Sequence, residues 1–338
     1  KEIPSSKTLS DSIDWVKFSQ ISWQGNGFYY SRYDAPDDKN ALTQSNKFHK
    51  VYYHQVGTPQ SADQIIYEDK SNPQINFSAE VTSDERFLII SKTKGTSGNE
   101  MIIKDLGEPS AQFKTLFDNP NFSYDVIDND GDSLTVVTNA NAPNYKLIRL
   151  NVKSPQPEKW VTVLPESADA LVTAVVGGHR IIAKYMHNAS HVLKVYKMNG
   201  QLENNINFQL PVTIDDLNGD KTDTVVFFTA QSFTMAPSTY KYFTTTMKAY
   251  STFEPKIDFK KEDYESNQVW FTSKDGTKIP MFIIHKKGLK LDGNNPCLLF
   301  GYGGFNISKT PEFKSERLLF LERGGVFAMP NIRDRKST

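Results

Sequence analysis

"GGHRIIAKY" (residues 177–185), followed after a short gap by "LKVYKMNG" (193–200), decides how most of this chain is read. A glycine-rich polar turn opens onto an apolar run, and a second run closes on another turn, which is the pattern of neighbouring strands. The pair recurs. "GNGFYYSRY" (25–33) precedes "KVYYHQVG" (50–57), and "SDERFLIIS" (83–91) precedes "EMIIKDLG" (100–107). "NDGDSLTVV" (129–137) precedes "YKLIRLNV" (145–152), and "KTDTVVFFT" (221–229) precedes "TYKYFTTTM" (239–247). With Phe28, Phe87, Leu134, Ile181 and Val225 as equivalent positions, the steps are 59, 47, 47 and 44 residues. Two runs locked in phase at that spacing are a repeat.

A repeat of this length holds about four strands, the size of a propeller blade, and such a sheet buries both faces only against its neighbours. Five blades are expected between residues 1 and 255. A pair of β-sandwiches also gives short strands at even spacing and is the alternative. A ring short of blades would leave open edges, so further blades are expected ahead of residue 1.

Near Lys256 the style changes. "NQVWFTSKDGTKIPMFIIHKKG" (267–288) places two strands around Asp275-Gly276, a hairpin signal. "NNPCLLFGYGGF" (294–305) reads as a buried strand entering a glycine turn, with Cys297 as a small buried hydrophobe. "TPEFKSERLLFLERGG" (310–325) reads as a helix with proline near its start and glycines at its stop, and "VFAMPNIR" (326–333) as a further strand. Hairpin, strand, helix and strand in that order open an α/β-hydrolase sheet. The acidic and basic "KKEDYE" (260–265) is expected to be a solvated linker between the two parts.

The totals narrow the function. Lys and Arg number 39, as do Asp and Glu, so no net field gathers nucleic acid or an anionic membrane. One cysteine forbids a disulfide framework within the chain. No apolar stretch approaches the roughly twenty residues that span a bilayer, and residues 1–10 lack a signal-peptide core, so a cytoplasmic protein is expected. The sequons at Asn121 and Asn188 carry no weight without a secretory context.

In a hydrolase sheet the turn after the third strand supplies oxyanion donors. Gly301, Gly303 and Gly304 allow a close backbone approach, Tyr302 offers a phenolic O–H, and Phe305 offers an apolar face. The plain alternative is a tight strand-to-helix turn whose rings pack.

Residues 271–313, with the runs "SKDGTKIPMFI" and "GYGGFNIS", closely resemble the start of the peptidase domain of the prolyl oligopeptidase family. "VKFSQISW" (16–23), "VTSDERFLIIS" (81–91), "APNYKLI" (142–148) and "TAQSFTMAPSTY" (229–240) resemble its propeller. The resemblance implies a mainly β chain: a partial seven-bladed-type β-propeller with about five blades, then the opening β-hairpin and β-α-β part of an α/β-hydrolase domain from residue 256 to 338. It implies a cytosolic, monomeric serine peptidase that cuts short peptides after proline, without cofactor or metal. It also implies that Tyr302 is the oxyanion donor, that Phe305 lines the proline pocket, and that Phe18 faces the substrate beyond it. For Phe18 a plain strand-core role remains the alternative.

The rest of the machinery is not in this sequence. No G-x-S-x-G occurs, and the histidines at 49, 54, 179, 187, 191 and 285 all precede the point where the nucleophile belongs. His285, inside a strand, is expected to be structural. The chain alone is therefore expected to be inactive and to be part of a longer polypeptide; a non-catalytic propeller that binds peptides or proteins is the rival reading. "DNDGDS" (128–133) resembles a calcium loop, but its glycine comes fourth and Asn139 stands where a bidentate Glu is required, so a hairpin turn is expected.

Overall fold

Each paired run of the sequence becomes the central hairpin of a four-stranded antiparallel sheet. The computed structural model describes residues 8–35, 45–304 and 307–332. The first sheet holds β1 (Ser22–Gln24), β2 (Gly27–Arg32), β3 (Lys50–Gln55) and β4 (Gln64–Glu68). The second holds β5 (Asn76–Val81), β6 (Phe87–Thr93), β7 (Glu100–Asp105) and β8 (Lys114–Phe117). The third holds β9 (Tyr124–Asp130), β10 (Ser133–Thr138), β11 (Lys146–Asn151) and β12 (Val161–Leu164). The fourth holds β13 (Ala170–Gly177), β14 (Arg180–His187), β15 (Ser190–Lys197) and β16 (Leu202–Ile206). The fifth holds β17 (Thr213–Gly219), β18 (Val225–Gln231), β19 (Ser238–Phe243) and β20 (Lys248–Phe253). Phe28, Phe87, Leu134, Ile181 and Val225 all fall at the start of a second strand. The five sheets are propeller blades.

On β2, β6 and β10 the apolar runs are continuous because both faces are covered, whereas β18 alternates and leaves Phe227 40% exposed. On β6, Phe87 and Ile89 enter a core with Val126, Leu134 and Val136 of the third sheet. Leu88 and Ile90 enter a core with Tyr29 and Val51 of the first sheet. Side chains alternate across a strand, so a strand buried on both sides must be apolar at consecutive positions.

Polar side chains tie neighbouring sheets as well. Asn99, just before β7, accepts from Tyr124 N at 2.8 Å and donates Nδ2 to Tyr124 O at 3.0 Å. His49, just before β3, accepts from Phe77 N through Nδ1 at 2.9 Å, and His191 on β15 accepts from Ile214 N in the same way at 2.9 Å. Each reaches the first strand of the following sheet. Burial holds both imidazoles neutral, with pKa values lowered to about 4.

The chain divides into two compact units, residues 1–142 with 147–162, and residues 143–146 with 163–338. Within the second lies a sixth, mixed sheet in the order β21-β22-β24-β23: β21 (Tyr264–Thr272), β22 (Lys278–Lys286), β23 (Cys297–Leu299) and β24 (Val326–Pro330). A helix, α1 (Ser315–Glu322), connects the parallel pair β23 and β24. A hairpin is thus followed by a β-α-β unit, in the order expected from the sequence. The β21–β22 hairpin closes on Gly276 at φ +84°, and Ser273 N donates to Thr277 O at 2.8 Å. Glycine is needed there for the left-handed backbone.

Several expectations change in detail. The run "CLLF" is a strand but not a buried one: Cys297 is exposed and Leu299 is 66% exposed. β23 is the edge strand, with β24 its only partner among the described residues. The helix begins at Ser315 rather than near Pro311, and it ends where Gly324 N donates to Leu321 O and Gly325 N to Phe320 O, a Schellman pair. "KKEDYE" is not all solvated linker. Tyr264 is buried and joins Phe282, Ile284, Leu318, Leu321 and Phe327 in the core of the mixed sheet. Phe233, from the connection between β18 and β19 of the fifth blade, sits in that core with no exposed surface, its ring 5.2 Å from Phe282 and 6.0 Å from Phe327.

Candidate functional site

The glycine turn leaves the open edge of the mixed sheet. Phe300 N donates to Ala328 O at 2.9 Å, the last rung between β23 and β24, and Gly301 to Gly304 then leave the ladder. Gly301 lies against Pro330 and Ile332. Neither Gly301 nor Gly304 has positive φ; what Gly304 supplies is room, since a Cβ there would sit 3.2 Å from the Tyr302 hydroxyl. The tyrosine hydroxyl and the turn therefore occupy one small space.

Tyr302 is 37% exposed. Lys309 Nζ stands 5.3 Å from its ring centroid. An ammonium over a phenol is attracted by the ring's negative face. Sequence reasoning missed Lys309, because nothing in "NISKTPEF" says that the chain folds back over the tyrosine. Phe305 lies outside the described residues.

Phe18 is held differently, in the first unit. Its backbone has φ +55°, unusual for a bulky residue, and its side chain is 66% exposed. Flanking bonds pin it: His49 Nε2 donates to Lys17 O at 3.1 Å, and Ser31 N donates to Ser19 Oγ at 2.7 Å. With Nδ1 accepting from Phe77, the neutral His49 must carry its proton on Nε2. The core reading of Phe18 fails, and an anchored backbone presents the ring to solvent.

The remaining sequence candidates resolve into structure. His285 is buried and donates Nδ1 to Lys286 O at 2.9 Å. "DNDGDS" closes the β9–β10 hairpin, and Asp132 within it pairs with Arg86 and Lys153 at 2.5 Å each. These two cations hold its carboxyl below the usual range. His54 lies between Asp63, 2.7 Å from Nδ1, and Asp11, 3.1 Å from Nε2. Burial opposes its charge, but the hydrogen bonds to the two carboxylates outweigh that and raise its pKa.

Five four-stranded blades precede a mixed sheet whose edge strand runs into a tyrosine-bearing glycine turn, the architecture of a chain built mainly as a β-propeller. Residues 1–252 match the family described as prolyl oligopeptidase, N-terminal β-propeller domain. The chain belongs to the prolyl oligopeptidase family. It is 39% identical over 328 residues to the prolyl endopeptidase of Elizabethkingia meningoseptica, covering 97% of this chain and 46% of that protein. It is 33% identical to prolyl oligopeptidase A of Amanita bisporigera, covering 96% of this chain and 45% of that protein. Prolyl oligopeptidase B from Galerina marginata, solved bound to a 25mer macrocyclization substrate, superposes with a TM-score of 0.89 at 30% identity, over 96% of this chain and 46% of that one. The chain thus spans about half the length of the relatives it matches.

Proposed function

We propose that residues 1–255 are the propeller and residues 256–338 the first part of the peptidase domain of a serine peptidase that cleaves short peptides after proline. The observation that carries this reading is Tyr302, accessible on its glycine turn beneath the Lys309 ammonium. An O–H aimed at a developing oxyanion stabilises the tetrahedral intermediate more than the ground state, which is what accelerates acyl transfer. Phe305, by its place in the sequence motif, would line the proline pocket, and Phe18 would contact the substrate beyond it. The family resemblance supports a cytoplasmic monomer.

Serine attack on the prolyl carbonyl needs a nucleophile and a histidine base. The 338 residues contain no G-x-S-x-G elbow and no histidine after residue 285. We therefore expect the chain alone to leave a fluorogenic proline peptide uncut, and turnover blocked by a serine-directed inhibitor would overturn that. In a longer polypeptide carrying the elbow, Tyr302→Phe is expected to lower kcat by roughly 10²–10³ with KM little changed. An unchanged kcat would remove Tyr302 from the chemistry.

A further inference from the structure

The segment returning from the glycine turn is tied down by two side chains of the fifth blade. Thr213 is buried, and its Oγ1 donates to Pro311 O at 2.6 Å. Phe313 N donates to Gln231 Oε1 at 3.1 Å, while Gln231 Nε2 donates to Asp215 Oδ2 at 3.1 Å. The second bond sets which end of the amide faces Phe313. From the mixed sheet, Asn331 Nδ2 donates to Lys309 O.

These contacts explain why the helix starts late. Pro311 has no N–H, and the Pro311 carbonyl and Phe313 amide are already engaged by side chains, so residues 310–314 stay outside the helix, with Lys314 extended at its cap. Lys309 is consequently held between Asn331 on one side and the Thr213 and Gln231 pair on the other. From there its ammonium reaches the Tyr302 ring.

We propose that Thr213 and Gln231 are positioning residues: they fix the return segment, keep Lys309 over Tyr302, and thereby orient the tyrosine hydroxyl. The inference rests on Tyr302 being the oxyanion donor. A donor must be held within about 0.5 Å of its working position, and tethers outside the turn are one way to achieve that. The propeller then acts on the chemistry through two hydrogen bonds rather than only as a cover.

The test uses the 338-residue chain labelled with ¹³Cζ-tyrosine, with Tyr302 assigned by Tyr302→Phe. Thr213→Val and Gln231→Leu are each expected to shift or split the Tyr302 resonance and leave the other tyrosines in place. The Phe313 amide should exchange roughly fivefold faster in either variant, the factor for one lost hydrogen bond. Thr213→Ser keeps the hydroxyl and should restore the wild-type signal. An unmoved Tyr302 resonance in folded Thr213→Val and Gln231→Leu would overturn the proposal. If Thr213→Val does not fold, Gln231→Leu decides by the same criterion. Because no turnover is measured, a failure here leaves the donor role of Tyr302 to the kcat measurement on the longer polypeptide.

Discussion

Phe87–Ile90 and Cys297–Phe300 read alike as sequence, four apolar residues beside a polar turn, yet their surroundings are opposite. The first run is covered on both faces and no residue in it exceeds 4% exposure, whereas Leu298 and Leu299 are 49% and 66% exposed. An apolar run specifies a strand. Whether that strand is buried depends on what lies beside it, and β23 has a described neighbour on one edge only.

The contrast is sharpest for a ring covered from every side. Phe233→Ala is expected to destabilise the second unit by about 3–5 kcal/mol, because it empties a socket shared with Phe282 and Phe327. Urea denaturation followed by the near-ultraviolet signal would read it. A loss below about 1 kcal/mol would mean that the site collapses freely and that coverage on every side contributes little.

An intermediate effect tests the polar ties between sheets. His49 and His191 are neutral in the fold with pKa values of about 4, against about 6.5 when unfolded. Between those values the unfolded chain binds more protons, so the stabilisation present above pH 6.5 is lost as pH falls toward 4. The loss should be on the order of 1–3 kcal/mol per histidine. Asn99 makes the same kind of tie without titrating in this range, so His191→Asn should keep the fold and reduce the pH slope. A slope equal to that of the wild type would refute the assignment. His54 does not confuse the window: its pKa is raised, so its contribution is full below 6.5 and is lost only as pH rises through the elevated value.

The smallest effect belongs to the open edge. Leu299→Ser is expected to change stability by less than about 0.5 kcal/mol by the same urea measurement. A larger loss would show that β23 is covered by something the described residues do not include.

These differences also explain what the sequence disclosed. The second strands of most blades were legible because two-sided burial forces consecutive apolar residues, as in "FLII" and "RIIA", and β15 and β18 were legible by their alternation. The outer strands were not: every residue of β20 is exposed, so no burial pattern marks it. The ties from Asn99, His49 and His191 reach 23 to 28 residues along the chain and leave no local pattern. At the candidate site, the turn holding Tyr302 was readable as a motif. Thr213 and Gln231 were not, since they meet Pro311 and Phe313 across 98 and 82 residues. Pro311 misled because proline at a helix start and proline in a strapped segment ahead of the helix look the same until the partners are seen.

Phe233 has a practical consequence for anyone dissecting this chain. Harvesting the bladed portion by stopping at residue 252, where the family match ends, would pull an aromatic plug out of its socket and leave it in water. A protease nick between the exposed Phe253 and Glu254 would have a milder outcome, because the severed halves would still be clasped through that ring.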